Sequence, residues 1–137
     1  MDKGNMLSYT EWVVMETLWE ADRPLTNPEI YELSGKEGWQ GTRTVNAITK
    51  RLAKRGTIKE GNVVKKAKAF AQEYVPTITA EEYLERQITE SKKFQNHPDE
   101  VILTLFPVMI NKQKIDNETL LELENIIQEY KKRVQKR

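Results

Sequence analysis

Three side chains that can form directional hydrogen bonds recur every three or four residues near the middle of the chain. Arg43, Asn46 and Lys50 carry a guanidinium group, an amide and an ammonium group. Because residues at these spacings share one face of an α-helix, the three side chains should project together. Arginine pairs with guanine, and asparagine with adenine, through two hydrogen bonds in the DNA major groove. The pattern therefore predicts a helix face that reads base edges.

The segment around them, TRTVNAITKRLAKRGTI, has the periodicity of an amphipathic helix. Val45, Ile48 and Leu52 form its apolar stripe, Thr42 is the predicted N-cap, and Gly56 should end the helix. A helix with a buried back and a basic, donor-rich front suits the major groove. The alternative at this point is a solvated surface helix that is basic by chance.

Charge is strongly segregated along a chain whose net charge is only +1. Residues 1–35 carry a net charge of −5, whereas residues 36–68 carry ten cations against two anions, a net +8. Residues 69–137 return to −2. A polyanion would therefore meet one concentrated basic block, which favours nucleic-acid binding.

Length and composition limit the class of protein. The 137 residues suit one domain, or a small domain with an appendage. The chain has no cysteine, which excludes disulfides and thiolate metal sites. It has neither a run of about 18 apolar residues nor an apolar leader segment, so we expect a cytoplasmic protein without membrane insertion.

The elements that position the basic helix are also visible. Ser8 with Glu11 predicts a capping box that opens a first helix, and Thr26 should cap a second helix with Pro28 in its first turn. Residues 57–62 and 69–75 read as an antiparallel hairpin with a lysine-rich tip. Three helices followed by a basic hairpin indicate a winged helix-turn-helix.

The last third of the chain has a different pattern. Thr79 should open a helix through about residue 93, and further helices are predicted over residues 99–110 and 116–132. The last helix carries apolar residues at alternating steps of three and four, which is typical of a dimerising seam. The alternative is that this seam packs onto residues 79–110 of the same chain. The predicted dimerisation residues are Ile102, Leu105, Phe106, Met109, Leu120, Leu123, Ile127, Tyr130 and Val134.

The predicted fold is thus mostly α with a small β-hairpin. Residues 1–76 would form a winged helix DNA-binding domain, and residues 77–137 a helical dimerisation domain. Arg43, Asn46 and Lys50 are assigned to bases, whereas the remaining candidates supply backbone contacts or close approach. The full DNA-binding set is Thr26, Asn27, Thr42, Arg43, Thr44, Asn46, Ala47, Lys50, Arg51, Lys54, Arg55, Lys65, Lys66 and Lys68.

An ordered set of segments across residues 7–135 resembles the penicillinase-repressor family, which includes the methicillin-resistance and copper-responsive repressors. The segments are LSYTEWVVMETLWE, PLTNPEIYEL, TVNAITKRLAKRGTI, FAQEYVP, ITAEEYLER and IDNETLLELENII. The resemblance implies a bacterial homodimeric transcriptional repressor. Its N-terminal domains would bind an inverted-repeat, palindromic operator on double-stranded DNA, and its tails would dimerise.

Two departures from the family pattern concern how such a repressor is switched off. Copper-responsive members bind metal through paired cysteines, which this chain lacks. Members that respond to β-lactams are cleaved at an Asn-Phe bond after a membrane sensor-protease is triggered. The comparable bond here is Leu105–Phe106, and Pro107 follows it directly. Because proline fixes φ and removes a donor, cleavage at this bond is disfavoured.

The residues give little support to catalysis or to a cofactor. The single histidine, His97, precedes a proline, and no cluster with metal-ligand spacing accompanies it. We therefore expect no enzyme activity, no metal and no cofactor. Two alternatives stay open: a winged-helix module that binds an acidic protein, and a small-molecule-sensing regulator of the multiple-antibiotic-resistance type. The latter predicts an apolar pocket between residues 12–19 and 101–109.

Overall fold

In this computed structural model, residues 6–35 and 38–136 are described, and they form a mostly helical protein with a small antiparallel sheet. This confirms the predicted fold class. None of the described helices is both long and apolar enough to cross a membrane. The elements in chain order are α1 (Tyr9–Ala21), β1 (Leu25–Thr26), α2 (Asn27–Ser34), α3 (Thr42–Arg55), β2 (Ile58–Lys66), β3 (Ala69–Pro76), α4 (Ala80–Thr89), α5 (Lys92–Asn96), α6 (Pro98–Gln113) and α7 (Asn117–Gln135).

The first unit is built around one apolar core beneath α1, α2 and α3. Its buried members come from these helices and from the first residues of the adjoining strands. Helices α1 and α3 each bury one stripe of side chains, whereas α2 buries Ile30. The core residues are Val14, Met15, Leu18, Leu25, Ile30, Val45, Ile48, Leu52 and Ile58.

Capping boxes define the starts of α1, α2 and α4, as predicted. The side chains of Ser8, Thr26 and Thr79 each accept a hydrogen bond from the backbone N–H of a glutamate three residues later. The carboxylate of that glutamate accepts a hydrogen bond from the backbone N–H of the cap residue. The start of α3 differs from the prediction, because Gly41 is the N-cap and Thr42 is the first helical residue. Gly41 has φ 61°, a left-handed value that favours glycine over threonine. Gly56, also left-handed, ends α3 as expected.

The wing is longer than the sequence indicates. β2 and β3 pair in antiparallel register from Ile58 opposite Pro76 to Lys66 opposite Ala69, and β1 joins the outer edge of β3. Lys65 and Lys66 therefore lie in a strand, and the turn is only Ala67 and Lys68. The prediction of a lysine-rich loop between the strands was wrong. A short run of lysines lacks the alternation of apolar and polar residues that indicates a strand. 

A β-bulge bends the wing near its base. Gly61 and Asn62 together oppose Glu73, so the register shifts between Glu60 and Val63. The Gln72 amide donates to the Gly61 carbonyl at 3.0 Å and to the Glu73 carbonyl at 2.9 Å. The Gln72 side chain thus bonds backbone oxygens of both strands at the bulge.

The chain divides into two compact units, one ending at Ser91 and one beginning at Lys92. Helix α4 belongs to the first unit, because Tyr83 contacts Trp12 and Trp19 with ring centroids 5.4 and 6.1 Å apart. The Trp19 indole also donates to the Ile78 carbonyl at 2.9 Å. The functional division at residues 76 and 77 stays a prediction, but the compact unit extends beyond it.

Helix bounds in the last third depart from the predicted ones. The helix that Thr79 opens ends at Thr89 instead of near residue 93. Just beyond this end, the hydroxyl and the backbone N–H of Ser91 both donate to the Ile88 carbonyl. These bonds replace the next helical turn and close the helix. In the second unit α6 continues through Pro107 to Gln113, and α7 continues to Gln135.

Candidate nucleic-acid interface

Helix α3 has the buried back and the polar front that its periodicity predicts. Val45 and Leu52 are completely buried, and Ile48 is 2% exposed. Thr49 is also buried, and its hydroxyl donates to the Val45 carbonyl at 3.1 Å. The opposite face holds exposed side chains that the sequence assigned to DNA: Arg43, Asn46, Ala47, Lys50, Arg51 and Lys54.

The N-terminus of α3 has no side-chain cap. Its first N–H groups thus keep the partial positive charge of a helix start, which favours an anion such as phosphate. Thr42 and Thr44 lie here, partly exposed, and the Thr44 hydroxyl is 3.4 Å from the Gln40 N–H. This geometry is compatible with the phosphate role that the sequence predicts for them.

The predicted donors at the start of α2 have other partners within the protein. Thr26 is 1% exposed, and its hydroxyl takes part in the capping box with Glu29. Asn27 donates from Nδ2 to Oδ1 of Asn46 at 2.6 Å, which joins α2 to the exposed face of α3. The structure therefore gives Thr26 a capping role, and Asn27 a contact with a predicted base reader, where the sequence predicted phosphate contacts.

A buried carboxylate holds the end of α3 against α1. Glu11 is 6% exposed, and its Oε1 lies 2.9 Å from Nη1 of Arg55 and its Oε2 3.8 Å from Nε of Arg51. Burial raises the pKa of Glu11, but hydrogen bonds from the Ser8 N–H and from Arg55 outweigh it and leave the pKa below its ordinary value. Arg55 thus has a structural partner 44 positions away, which no local sequence pattern could indicate.

Glu29 is the corresponding carboxylate at the start of α2. It accepts the Thr26 N–H at 2.9 Å and pairs with Arg23 at 3.1 Å and with Lys66 of the wing at 3.8 Å. The Thr26 hydrogen bond is the largest cause that lowers the pKa of Glu29, to about 2. The contact with Lys66 ties the wing to the helix-turn-helix.

Lys65, Lys66 and Lys68 are all exposed near the tip of the wing. Lys68 follows Ala67, whose φ of 53° makes the turn. Two apolar side chains on the same strands, Val63 at 60% and Phe70 at 73%, are also exposed and were not among the predicted site residues. Phe70 and Tyr74 lie on the same face of β3. Tyr74 is partly buried against the core, whereas Phe70 is exposed because the hairpin extends beyond the core at that point.

The second unit buries none of its helical residues within the described chain. The predicted dimerisation residues lie on α6 and α7, and most are at least a third exposed, from Phe106 at 36% to Val134 at 62%. Leu120 and Leu123 are partly exposed. Leu103 and Ile126 add to this apolar surface, at 75% and 52%. An exposed apolar surface of this extent is typical of an interaction site.

The bond considered for cleavage lies in α6, and the single histidine lies at the start of that helix. The Leu105–Phe106 bond lies inside α6, so a protease that binds an extended chain would first have to unwind the helix. His97 Nδ1 is 4.0 Å from a Glu100 oxygen at the start of α6. The described residues include no group of three or more potential metal ligands.

Comparison with known proteins identifies a family for this chain. A family model described as "Penicillinase repressor" matches residues 7–129, from the lead-in to α1 through most of α7. A search of curated proteins finds no match. Because the family match covers nearly the whole chain, the protein belongs to the penicillinase repressor family, whose members are transcriptional repressors and not enzymes.

Proposed function

We propose that this protein is a homodimeric transcriptional repressor that binds an inverted-repeat operator through α3 and the wing. The observation that carries the proposal is the two-sided character of α3. Its back is buried in the core, whereas its front presents cations and an amide within a segment of net charge +8. Membership of a repressor family supports the same conclusion.

Within this interface the side chains have different tasks. Arg43, Asn46 and Lys50 enter the major groove, where hydrogen bonds to base edges give sequence preference. Ala47 between them permits close approach. Thr42 and Thr44, with Arg51 and Lys54, contact phosphates, as do the wing lysines. Arg55 and Thr26 are held by Glu11 and Glu29, and we assign them to the support of the interface.

Dimerisation supplies the second half-site. An inverted repeat requires a two-fold partner, and the exposed apolar face of α6 and α7 is a self-complementary candidate for one. The seam on α7 is the coiled-coil part of that face. Cleavage at Leu105–Phe106 after a signal from a membrane sensor-protease, as in the family members that respond to β-lactams, is not part of the proposal.

The proposal is tested by binding to DNA from upstream of the protein's own gene. Footprinting locates the protected site, and a gel-shift titration then measures affinity for it. Lys50→Glu replaces a groove-facing cation with an anion in both subunits, so affinity should fall by about 100-fold or more. Lys92→Glu makes the same charge change at an exposed residue outside α3 and the wing, and should leave affinity within about threefold.

Equal affinity of Lys50→Glu and the unaltered protein would contradict the placement of α3 in the groove. Binding without preference for any duplex would favour the runner-up, a winged-helix module that binds an acidic protein. The ligand-sensing alternative stays a prediction.

A further inference from the structure

The hydrogen bond between Asn27 and Asn46 connects the two helices of the helix-turn-helix at the face proposed to meet DNA. Nδ2 of Asn27 lies 2.6 Å from Oδ1 of Asn46, and Asn46 is exposed whereas Asn27 is partly buried. Both side chains are amides, so each could donate or accept. The direction of this bond decides which atom of Asn46 points away from the protein.

In the structure Asn27 is the donor of this bond and Asn46 is the acceptor. The other end of the Asn27 amide, its Oδ1, is buried and has no hydrogen-bond partner among the described residues. A carbonyl oxygen suits such a position better than an NH₂ group, because a buried N–H without an acceptor is rarer and costlier than an under-satisfied oxygen.

We propose that Asn27 is a positioning residue that makes Asn46 a hydrogen-bond donor to DNA, selective for guanine. This inference rests on the proposed function. Because Oδ1 of Asn46 is turned toward Asn27, its Nδ2 is turned away, on the other side of the amide. A donor selects base edges that present acceptors, and guanine presents two in the major groove, N7 and O6. Adenine, the usual partner of a freely rotating asparagine, presents a donor beside its acceptor.

The experiment selects binding sites from a pool of random-sequence duplexes and sequences the bound fraction. Asn46→Ala identifies the position that Asn46 reads, as the position in each half-site where preference disappears. In the unaltered protein that position should favour guanine over adenine by about tenfold. Asn27→Ala frees the amide of Asn46, so this preference should fall to within about threefold.

A second variant distinguishes positioning from a merely structural contact. In Asn27→Asp the carboxylate can only accept, so Asn46 must turn Nδ2 toward it and present Oδ1 to the DNA. The preference at that position should then move from guanine to bases with an exposed donor, adenine or cytosine. The added negative charge weakens binding to all sequences alike and does not by itself change which base is preferred. In an Asn46→Ala background, Asn27→Asp should change no base preference.

Each remaining outcome is decisive. An unchanged guanine preference in both Asn27 variants, or adenine at the Asn46-dependent position of the unaltered protein, would overturn the role of Asn27 alone. If the unaltered protein selects no common sequence, the proposed function fails, and the role of Asn27 fails with it. Thermal unfolding of each variant within a few degrees of the unaltered protein confirms that the fold is kept.

Discussion

Two carboxylates, those of Glu11 and Glu29, hold residues that support the proposed interface. Glu29 caps α2 and reaches the wing through Lys66, whereas Glu11 caps α1 and holds Arg55 at the end of α3. Both occupy the N3 position of a capping box, three residues after the cap, so local sequence predicts their first role. Their second role depends on cations that are distant in the chain, and only the folded protein reveals it.

The charge of Glu29 should make a measurable, pH-dependent contribution to stability. Its pKa in the folded protein is about 2, below the ordinary value of 4.5. A lowered pKa means that the ionised form stabilises the fold above pH 4.5, and that this contribution is lost as the pH falls toward 2. Glu29→Gln keeps the capping oxygen but not the charge. It should lower the free energy of unfolding by about 1 kcal/mol at pH 7 and by almost nothing near pH 2.

Chemical denaturation at several pH values measures this difference. Glu32→Gln is the control, since Glu32 is an exposed residue on the same helix, and should change the free energy of unfolding by less than about 0.5 kcal/mol. A Glu29→Gln effect that is the same at pH 7 and near pH 2 would show that the charge of Glu29 contributes nothing to stability.

At the scale of elements, α4 is part of the winged-helix unit and not a connection that leads away from it. Tyr83 is 7% exposed among the indoles of α1, and its hydroxyl accepts the Leu7 N–H at 3.1 Å. The sequence predicts where α4 begins, since a capping box is local. The sequence does not indicate that Tyr83, which has an apolar ring and a polar hydroxyl, is the buried residue of α4.

Tyr83→Ala tests this assignment. Loss of a buried aromatic side chain should lower the free energy of unfolding by about 3 kcal/mol. Tyr83→Phe loses only the hydroxyl, and should cost about 1 kcal/mol. Leu84→Ala is the matched control, because Leu84 is 51% exposed on the same helix and should cost clearly less. Denaturation is compared at one protein concentration, since the proposed dimerisation would couple to stability. Equal effects at positions 83 and 84 would contradict the docking of α4.

At the scale of the whole molecule, the second unit exposes an apolar surface that is suited to a partner. Its helices bury none of their described residues, yet they carry large apolar side chains, and α6 carries them on several sides. A helix that is apolar around most of its circumference is typical of a buried position. We therefore expect a second copy of the chain to cover α6 and α7.

Replacement of two seam residues should separate the subunits. Leu123→Asp with Ile127→Asp places two carboxylates in the apolar seam, where burial of an unpaired charge is unfavourable. Sedimentation should then detect a monomer where the unaltered protein is a dimer. Asn125→Asp with Lys132→Asp puts two aspartates on the other side of α7 and should leave the dimer intact. A dimer that persists in the seam variant would exclude the seam as the interface.

Salt dependence of DNA binding would report how many phosphates the proposed dimer contacts. If about eight contacts form, the slope of log K against log salt concentration should be near −7. Lys68→Ala removes one wing contact from each subunit, so the slope should become less steep by about 2. Lys92→Ala is the control and should keep the slope. An unchanged slope for Lys68→Ala would place the tip of the wing away from the DNA.

The sequence by itself determined most of the helices, the caps of α1, α2, α4 and α7, the buried stripe of α3 and the location of the basic block. These features depend on periodicity and on hydrogen bonds within a few residues. Only the tertiary structure decided which polar residues are committed to partners inside the protein. Asn27 with Asn46, and Glu11 with Arg55, are 19 and 44 positions apart, and such pairs form only when packing of the core brings their helices together. For this reason the sequence located the proposed interface, whereas the fold divided its residues between contact and support.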